Sequence, residues 1–225
     1  MEENRRLLGI DFSTASPLLV ELLLDDASEP VLFEEIAKAN MNRPEILGLL
    51  MENPDTPNEV RQQIADILSL PVTQKTEVAA IRKNPEERSQ TILQRIQKLS
   101  VSERIQIALR GGKEIRTILL RDSNKEVSLT VLENPKLTET EIELVAKSRS
   151  MPDEALRKIS KKKAWMKNYN VIHALVTNPK TPPAISLHLV SELKTKDLAL
   201  LGKNKNVSEG IRSTAKKIFR ARQFH

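Results

Sequence analysis

The fold is decided by three related stretches of this chain: NPDTPNEV at residues 53–60, NPKLTETEI at 134–142 and NPKTPPAIS at 178–186. In each stretch, Asn-Pro follows an apolar run and precedes a segment that begins like a helix. Proline disfavours the helical conformation of the residue before it and lacks the backbone N–H that would continue a helix. We therefore predict that a helix ends at each Asn-Pro. A weaker fourth copy, NPEERSQTI, starts at Asn84.

The residues after each Asn-Pro carry signals for a new helix. Thr56 is predicted to be an N-cap, with a proline at the first helical position and Glu59 at the third. This is a capping box, in which the threonine and the glutamate satisfy each other's backbone N–H groups. The stretches 138–141 and 100–103 fit the same box, and Thr181 is predicted to cap a helix that two prolines open.

The helices that arrive at the three motifs share an apolar stripe at the same distances from the asparagine. Such spacing places the side chains on one face of a helix. The intervals between the four Asn-Pro sites are 31, 50 and 44 residues, so the period is irregular. The pattern predicts a repeated helix–stop–helix unit, although the same boundary chemistry also occurs in ordinary all-α proteins. The stripe residues are Ile46, Leu50 and Met51; Val127, Val131 and Leu132; and Val171, Leu175 and Val176.

Composition favours an all-α protein. The 225 residues include only six glycines and 3% aromatic residues, and no segment alternates apolar and polar residues as a hairpin would. The predicted architecture is an α-solenoid of stacked short antiparallel helices. The chain has no cysteine, which excludes disulfides and cysteine-based metal sites. We expect a cytoplasmic protein without a membrane association, because no apolar run approaches the ~20 residues of a membrane span and no signal sequence is recognisable.

Charge divides the chain into two blocks. Residues 1–100 hold 11 Lys and Arg against 17 Asp and Glu, a net charge of −6, whereas residues 101–225 hold 25 against 13, a net charge of +12. We predict an acidic helical block over 1–70, an irregular junction over 71–88 and a basic block of helical repeats over 89–225, together forming one continuous solenoid. The junction is either a hinge or a degraded repeat. A chain with this asymmetry should prefer an acidic partner at its C-terminal block.

The strings NPDTP, NPKLT and NPKTP resemble the leucine-rich repeat variant family and the wider class of HEAT-like α-solenoids. In that family, Asn-Pro-x-Thr-Pro closes one helix and opens the next. The resemblance covers about 44–64, 127–159 and 171–218, and it implies a curved stack of helices that binds other macromolecules. Some family members carry a cysteine-ligated iron–sulfur cluster, which this chain cannot hold because it has no cysteine.

No arrangement of residues predicts catalysis. The three histidines are not spaced as metal ligands, and the only Gly-Gly pair, 111–112, lacks the spacing of a phosphate-binding loop. Arg110 and Lys113 flank that pair and could bind an anion, but the pair is more typical of a helix C-cap and turn. We therefore expect a non-enzymatic protein without a cofactor.

One basic segment is the best candidate for contact with a partner. It lies in a predicted helix pair over 152–160 and about 163–177, and Trp165 and Tyr169 should share a helical face because they are four residues apart. The aromatic pair could belong to the core, contact a protein partner or stack on nucleic-acid bases. The C-terminal helix is also basic and could form a polar cap. The candidate residues are Arg157, Lys158, Lys161, Lys162, Lys163, Trp165, Lys167 and Tyr169.

Two functions are consistent with these features. The first is an interaction scaffold that docks an acidic protein partner. The alternative is a nucleic-acid-binding protein resembling HEAT-like DNA glycosylases, which hold duplex DNA in a basic concave groove. The supply of aromatic residues, one Trp and one Tyr, is small for that second function.

Overall fold

The computed structural model of the chain describes residues 11–25, 30–69 and 85–223, with side chains from residue 90 onward in the last range. Within these residues the chain forms fourteen α-helices, two 3₁₀ helices and no β-strand, so the all-α prediction is confirmed. None of the described helices is long and apolar enough to cross a membrane.

The contacts divide the chain into two compact units. Unit 1 comprises residues 1–119 and 134–136, and unit 2 comprises residues 120–133 and 137–225. The junction predicted at 71–88 lies mostly outside the described residues, so it stays a prediction. The helices of unit 1 are α1 (Pro17–Asp25), α2 (Pro30–Ala39), α3 (Pro44–Glu52), α4 (Asn58–Leu68), α5 (Pro85–Gln97), α6 (Val101–Arg110) and α7 (Lys113–Leu119). Those of unit 2 are α8 (Lys125–Val131), α9 (Glu139–Lys147), α10 (Asp153–Lys161), α11 (Tyr169–Thr177), α12 (Pro183–Leu189), α13 (Thr195–Leu201) and α14 (Glu209–Gln223).

Each unit has its own aliphatic core. In unit 1, α1 packs against α3, α5 and α6, and α3 also packs against α2 and α4. In unit 2, α11 packs between α9 and α12, and α14 packs against α12 and α13. Fully buried leucines, isoleucines and valines fill both cores, as expected when each short helix can bury only one stripe of side chains.

Two stretches of the chain, 124–147 and 168–191, adopt the same local arrangement 44 residues apart. Asn124 and Asn168 begin them as N-caps, and their side-chain oxygens accept hydrogen bonds from the first backbone N–H groups of α8 and α11. Each stretch then passes through Asn-Pro, at Asn134 or Asn178, into a second helix. The capping asparagines were not predicted, although asparagine ten residues before Asn-Pro is a readable signal.

The motif asparagines are buried and bind helix C-termini that lie earlier in the chain. Asn134 is 4% exposed, and its Nδ2 donates to the carbonyls of Ala108 (2.9 Å) and Gly111 (3.1 Å) at the end of α6. Asn178 is 5% exposed, and its Nδ2 donates to Ala146 (2.7 Å) and Ser148 (3.0 Å) at the end of α9.

Each asparagine also stabilises its own turn. The Oδ1 atoms of Asn134 and Asn178 accept hydrogen bonds from the backbone N–H groups of Lys136 (2.9 Å) and Lys180 (3.0 Å). One amide side chain therefore closes a loop and satisfies the carbonyls of another helix, which have no partner within that helix.

At the first motif an arginine satisfies the helix C-terminus instead. The guanidinium of Arg61 is buried and donates to the carbonyls of Met51, Asn53 and Thr56, which follow or end α3. Asn53 is the C-cap of α3, as predicted, and its Oδ1 accepts from the N–H of Asp55 at 2.8 Å. Amide and guanidinium side chains thus both satisfy carbonyls at helix C-termini in this protein.

The predicted N-caps are present where no proline follows the capping residue and absent where proline follows it. The capping boxes of Ser100 and Thr138 are present as predicted. Thr56 and Thr181 were predicted wrongly as caps, because Pro57 and Pro182 take the N-cap positions of α4 and α12 in extended conformations. Each threonine is thereby moved one residue outside the helix.

The displaced threonine hydroxyls have different environments. The hydroxyl of Thr56 donates to the carbonyl of Leu50 at 2.6 Å. Thr181 and Ser186 are buried, and their hydroxyls have no hydrogen-bond partner among the described residues. Ser186 corresponds to Ile142 at the 44-residue offset, so a hydroxyl occupies a position that holds an aliphatic side chain in the other stretch.

Two of the predicted helix ends differ from the ends in the structure by a few residues. The helix before Asn134 ends at Val131, because the N–H groups of Leu132 and Glu133 bind back in tighter turns to Leu129 and Thr130. The helix predicted over 183–193 ends at Leu189 and continues as a 3₁₀ helix over Val190–Glu192.

Replacing Asn178 with alanine should lower the free energy of unfolding of unit 2 by about 2 kcal/mol, because two carbonyls at the end of α9 lose their side-chain donor. Urea unfolding followed by the fluorescence of Trp165, the only tryptophan, measures this change. The control is Asn206→Ala, at an exposed asparagine, which should change stability by less than about 0.5 kcal/mol. Equal effects of the two substitutions would contradict the role of Asn178.

Replacing Ser186 with alanine should raise the stability of unit 2 by about 1 kcal/mol, because a buried hydroxyl without a partner is removed. Ser213→Ala, at an exposed position inside α14, is the control for the higher helix propensity of alanine. The gain at Ser186, measured by the same urea titration, should exceed the gain at Ser213. A loss of stability at Ser186 would show that its hydroxyl has a partner.

Candidate partner-binding site

The backbone of the predicted basic segment is broken twice. Lys162 ends α10 in an extended conformation, a 3₁₀ helix covers Trp165–Lys167, and Asn168 is again extended before α11 begins. The prediction of one helix over 163–177 was therefore wrong. It failed because the Asn168 side chain caps α11 by accepting the N–H of Asn170 at 2.9 Å. Trp165 and Tyr169 do not share a helical face.

Two lysines of the segment bind the C-terminus of α8. The Nζ of Lys158 donates to the carbonyl of Leu129 at 3.3 Å and forms an ion pair with Glu133. The Nζ of Lys162 donates to the carbonyl of Leu132 at 3.1 Å. Cations at a helix C-terminus are stabilised by the helix dipole and satisfy its last carbonyls. These two lysines therefore connect α10 to α8, a role that sequence reasoning missed.

Trp165 is half-buried and packs against the core of unit 2. The Nζ of Lys162 lies 4.1 Å from the centroid of its ring, which is within cation–π range. A lysine that is already bound to the end of α8 thus covers one face of the indole.

Tyr169 is held by the N-cap and the first turn of α13. Its hydroxyl donates to the Oδ2 of Asp197 and accepts the backbone N–H of Lys194 at 3.1 Å. The Nζ of Lys194 lies 4.5 Å from the ring centroid, and the imidazole of His173 is 6.3 Å away, centroid to centroid. Both the ring and the hydroxyl are engaged within unit 2.

Lys162 is exposed, and so are three further lysines of the segment: Lys161, Lys163 and Lys167. Among the described residues their ammonium groups have no ion-pair partner. Arg157, also exposed, is paired with Asp153 one turn earlier at 3.3 Å. The structure therefore separates the eight candidates into a supporting group and an exposed group. We call Lys161, Lys163 and Lys167 the exposed lysine patch.

The two supporting contacts shift pKa values in opposite directions. Partial burial and the nearby charge of Lys158 lower the pKa of Lys162, and Glu133 partly offsets this. Burial raises the pKa of the Tyr169 phenol, and its hydrogen bond to Asp197 raises it further.

The surroundings of the patch are strongly basic. Unit 2 holds 20 Lys and Arg against 11 Asp and Glu, a net charge of +9, whereas unit 1 holds 16 against 19, a net charge of −3. The helix α14 adds exposed Lys216, Lys217 and Arg220 to unit 2. A surface of this charge attracts acidic partners over roughly one Debye length, about 8 Å at physiological salt.

The other sequence candidates were the histidines and the Gly-Gly pair. No group of three or more His, Asp or Glu that could hold a metal occurs among the described residues. Gly111 is the C-cap of α6, as expected for this pair. A Cβ at this position would lie 2.6 Å from both the Ile107 carbonyl and the Ile115 side chain, so close packing requires glycine. Arg110 extends toward Glu35 at 3.5 Å.

Comparison with protein families, curated proteins and solved structures finds no match to this chain.

The pKa of Tyr169 should lie above its ordinary value, and Asp197→Asn should lower it part of the way, because burial, the larger cause, remains. Tyr169 is the only tyrosine, so alkaline titration of tyrosinate absorbance measures it directly. A phenol whose pKa is raised by folding stabilises the fold below its unfolded-state pKa and loses that contribution as pH rises through the folded-state value. Glu192→Gln, at an exposed carboxylate nearby in the chain, is the control. A midpoint unaffected by Asp197→Asn would contradict the assignment.

Proposed function

We propose that this protein is a non-enzymatic interaction scaffold built from helical repeats, and that its exposed lysine patch binds an acidic surface of a protein partner. The observation that carries this proposal is that the lysines of the basic segment fall into two groups. Lys158 and Lys162 bind the end of α8, whereas Lys161, Lys163 and Lys167 project from the same segment into solvent. Charged groups on a fixed backbone recognise a partner at a lower entropic cost than groups on a flexible loop.

The repeat part of the proposal is supported by the 44-residue recurrence of Asn-capped helix, Asn-Pro and second helix. In both copies the asparagine, Asn134 or Asn178, donates twice to the end of an earlier helix, once to its C-cap residue. This local regularity fits an α-solenoid like those of the leucine-rich repeat variant or HEAT-like proteins, in which each repeat contacts its neighbours. We propose that arrangement for the whole chain.

A protein partner is favoured over nucleic acid by the state of the two aromatic side chains. Proteins that bind single strands or flipped bases use aromatic rings that are open for stacking. Here Lys162 covers one face of Trp165 and the core of unit 2 packs on the residue, while Lys194 covers Tyr169. The lysines that remain exposed can pair with carboxylates without any aromatic surface.

Electrostatic attraction gives the mechanism of partner capture. The net charge of +9 on unit 2 steers an acidic partner toward it, and the patch then forms exposed ion pairs that each contribute modestly. Specificity would come from the fixed spacing of the three lysines rather than from the strength of any one pair.

Reversing the patch charges with Lys161→Glu, Lys163→Glu and Lys167→Glu should abolish retention of the acidic partners that the wild-type chain retains from a lysate of its native cell. These side chains are exposed, so the far-UV circular dichroism spectrum should be unchanged. The control variant makes an equal charge change in unit 2, at exposed Lys203, Lys205 and Lys216. It should keep those partners, and quantitative mass spectrometry of the captured proteins compares the three samples.

Three outcomes would contradict this proposal. Equal loss with both variants would show attraction by net charge alone, without a site. A gel-shift series over increasing salt tests nucleic acid: tight, steeply salt-dependent binding of a DNA duplex that patch reversal removes would replace the protein partner with the alternative function. Catalytic turnover by the purified chain would overturn the scaffold proposal altogether.

A further inference from the structure

Three helices begin directly after a clear Asn-Pro motif: α4, α9 and α12. At a helix start, the residue before the N-cap and the fourth residue of the helix lie side by side, and two apolar residues often pack together there. We call these two residues the staple pair. The three staple pairs are Thr56 and Arg61 at α4, Leu137 and Ile142 at α9, and Thr181 and Ser186 at α12.

The staple pairs of α4 and α9 are both complete, in different ways. At α9 the two residues are aliphatic: Ile142 is buried, and Leu137 packs against the same core. At α4 they are polar and hydrogen-bonded. The Thr56 hydroxyl donates to the carbonyl of Leu50 at 2.6 Å, and the Nε of Arg61 donates to the carbonyl of Thr56 at 3.2 Å. The chain thus contains an apolar and a hydrogen-bonded version of the same position.

The staple pair of α12 has neither form. Thr181 is 4% exposed and Ser186 is 0% exposed. Their hydroxyls find no hydrogen-bond partner in the described part of the chain, although their backbone N–H groups donate to the carbonyls of Asn178 and Pro182. A buried hydroxyl without a partner raises the free energy of the folded state, and this cost is removed when the hydroxyl meets water. Two such hydroxyls belong to this one turn.

The backbone of α12 is also weakly held at this end. The helix has seven residues, Pro183–Leu189, and continues as a 3₁₀ helix from Val190. Its N-cap and its first residue are both prolines, which have no N–H to donate. By contrast, α9 has nine residues and begins with a complete capping box. Both the side chains and the backbone therefore make the start of α12 less stable than the matching start of α9.

We propose that the first turn of α12, from Thr181 to Ser186, opens separately from the rest of unit 2. Opening brings both hydroxyls into contact with water, which offsets part of the loss of the hydrogen bonds of that turn. Because α12 packs against both α11 and α14, the opening loosens two helix contacts of unit 2 at once. Segments that open well below the free energy of global unfolding are those in which proteins change shape. This opening does not depend on the exposed lysine patch or on a bound partner.

Amide hydrogen exchange of the full chain, followed by NMR in low concentrations of urea, tests the opening. The protection factors of residues 185–187 should be at least about tenfold lower than those of residues 141–143, which occupy the matching positions of α9. Protection of residues 185–187 should also change little with urea, because a local opening exposes little surface. Equal protection of the two segments, or a urea dependence as steep as that of global unfolding, would overturn the proposal.

Substitutions that remove the hydroxyls show whether they cause the opening. Thr181→Val together with Ser186→Ala keeps the side-chain shapes, so the protection of residues 185–187 should rise about tenfold. Ser186→Ala alone should give a smaller rise in the same N–H groups. The matched control is Ser128→Ala in α8, because Ser128 is also buried but its hydroxyl donates to the carbonyl of Lys125 at 3.0 Å. The control should not raise the protection of α8. Unchanged or lower protection after the double substitution would show that the two hydroxyls are already hydrogen-bonded in the closed fold, and the proposal would then be wrong.

Discussion

The structure depends on how the carbonyl groups at helix C-termini find hydrogen-bond donors. A helix leaves its last four carbonyls without partners, and many helices end with a left-handed glycine that returns the chain onto them. No glycine among the described residues has a positive φ, and Ser69 alone of the other described residues has one. Side chains from elsewhere supply the donors instead: Asn134 for α6, Asn178 for α9, Arg61 for α3, and Lys158 with Lys162 for α8.

This requirement explains why several basic and amide side chains bind helix ends, whether they are buried, as Arg61 and Arg116 are, or exposed, as Lys162 is. Arg116 and Arg222 act in the same way, donating to the carbonyls of Gly111 and of Ser191 and Leu193. A guanidinium or ammonium group can reach across a loop that a backbone N–H cannot. Some of the lysines and arginines of unit 2 therefore stabilise helix ends. We expect the others, including the exposed lysine patch, to be the groups that can bind a partner.

Capping residues and prolines predicted most of the helix boundaries correctly. Each boundary prediction that was wrong has a physical reason. Thr138 was predicted correctly as a cap because no proline follows it, whereas Thr56 and Thr181 precede prolines that take the N-cap position themselves. The break at Asn168 was missed because no proline or glycine marks it in the sequence. At the candidate site, Lys161 and Lys162 are indistinguishable in sequence, since only the position of the α8 C-terminus decides which of them binds it.

The proline that follows each motif asparagine has a consequence for the chemical durability of the protein. An asparagine side chain deamidates chiefly when the next backbone nitrogen loses its hydrogen and attacks the side-chain amide carbon. Ammonia leaves, and water then opens the resulting cyclic imide to a carboxylate. The nitrogen of Pro135 or Pro179 carries no hydrogen, so this cyclisation cannot be completed. A carboxylate there would face the carbonyl oxygens that Asn134 and Asn178 now bind, and repulsion would replace attraction. The residue that ends each helix thus also protects the amide that holds the neighbouring helix in place.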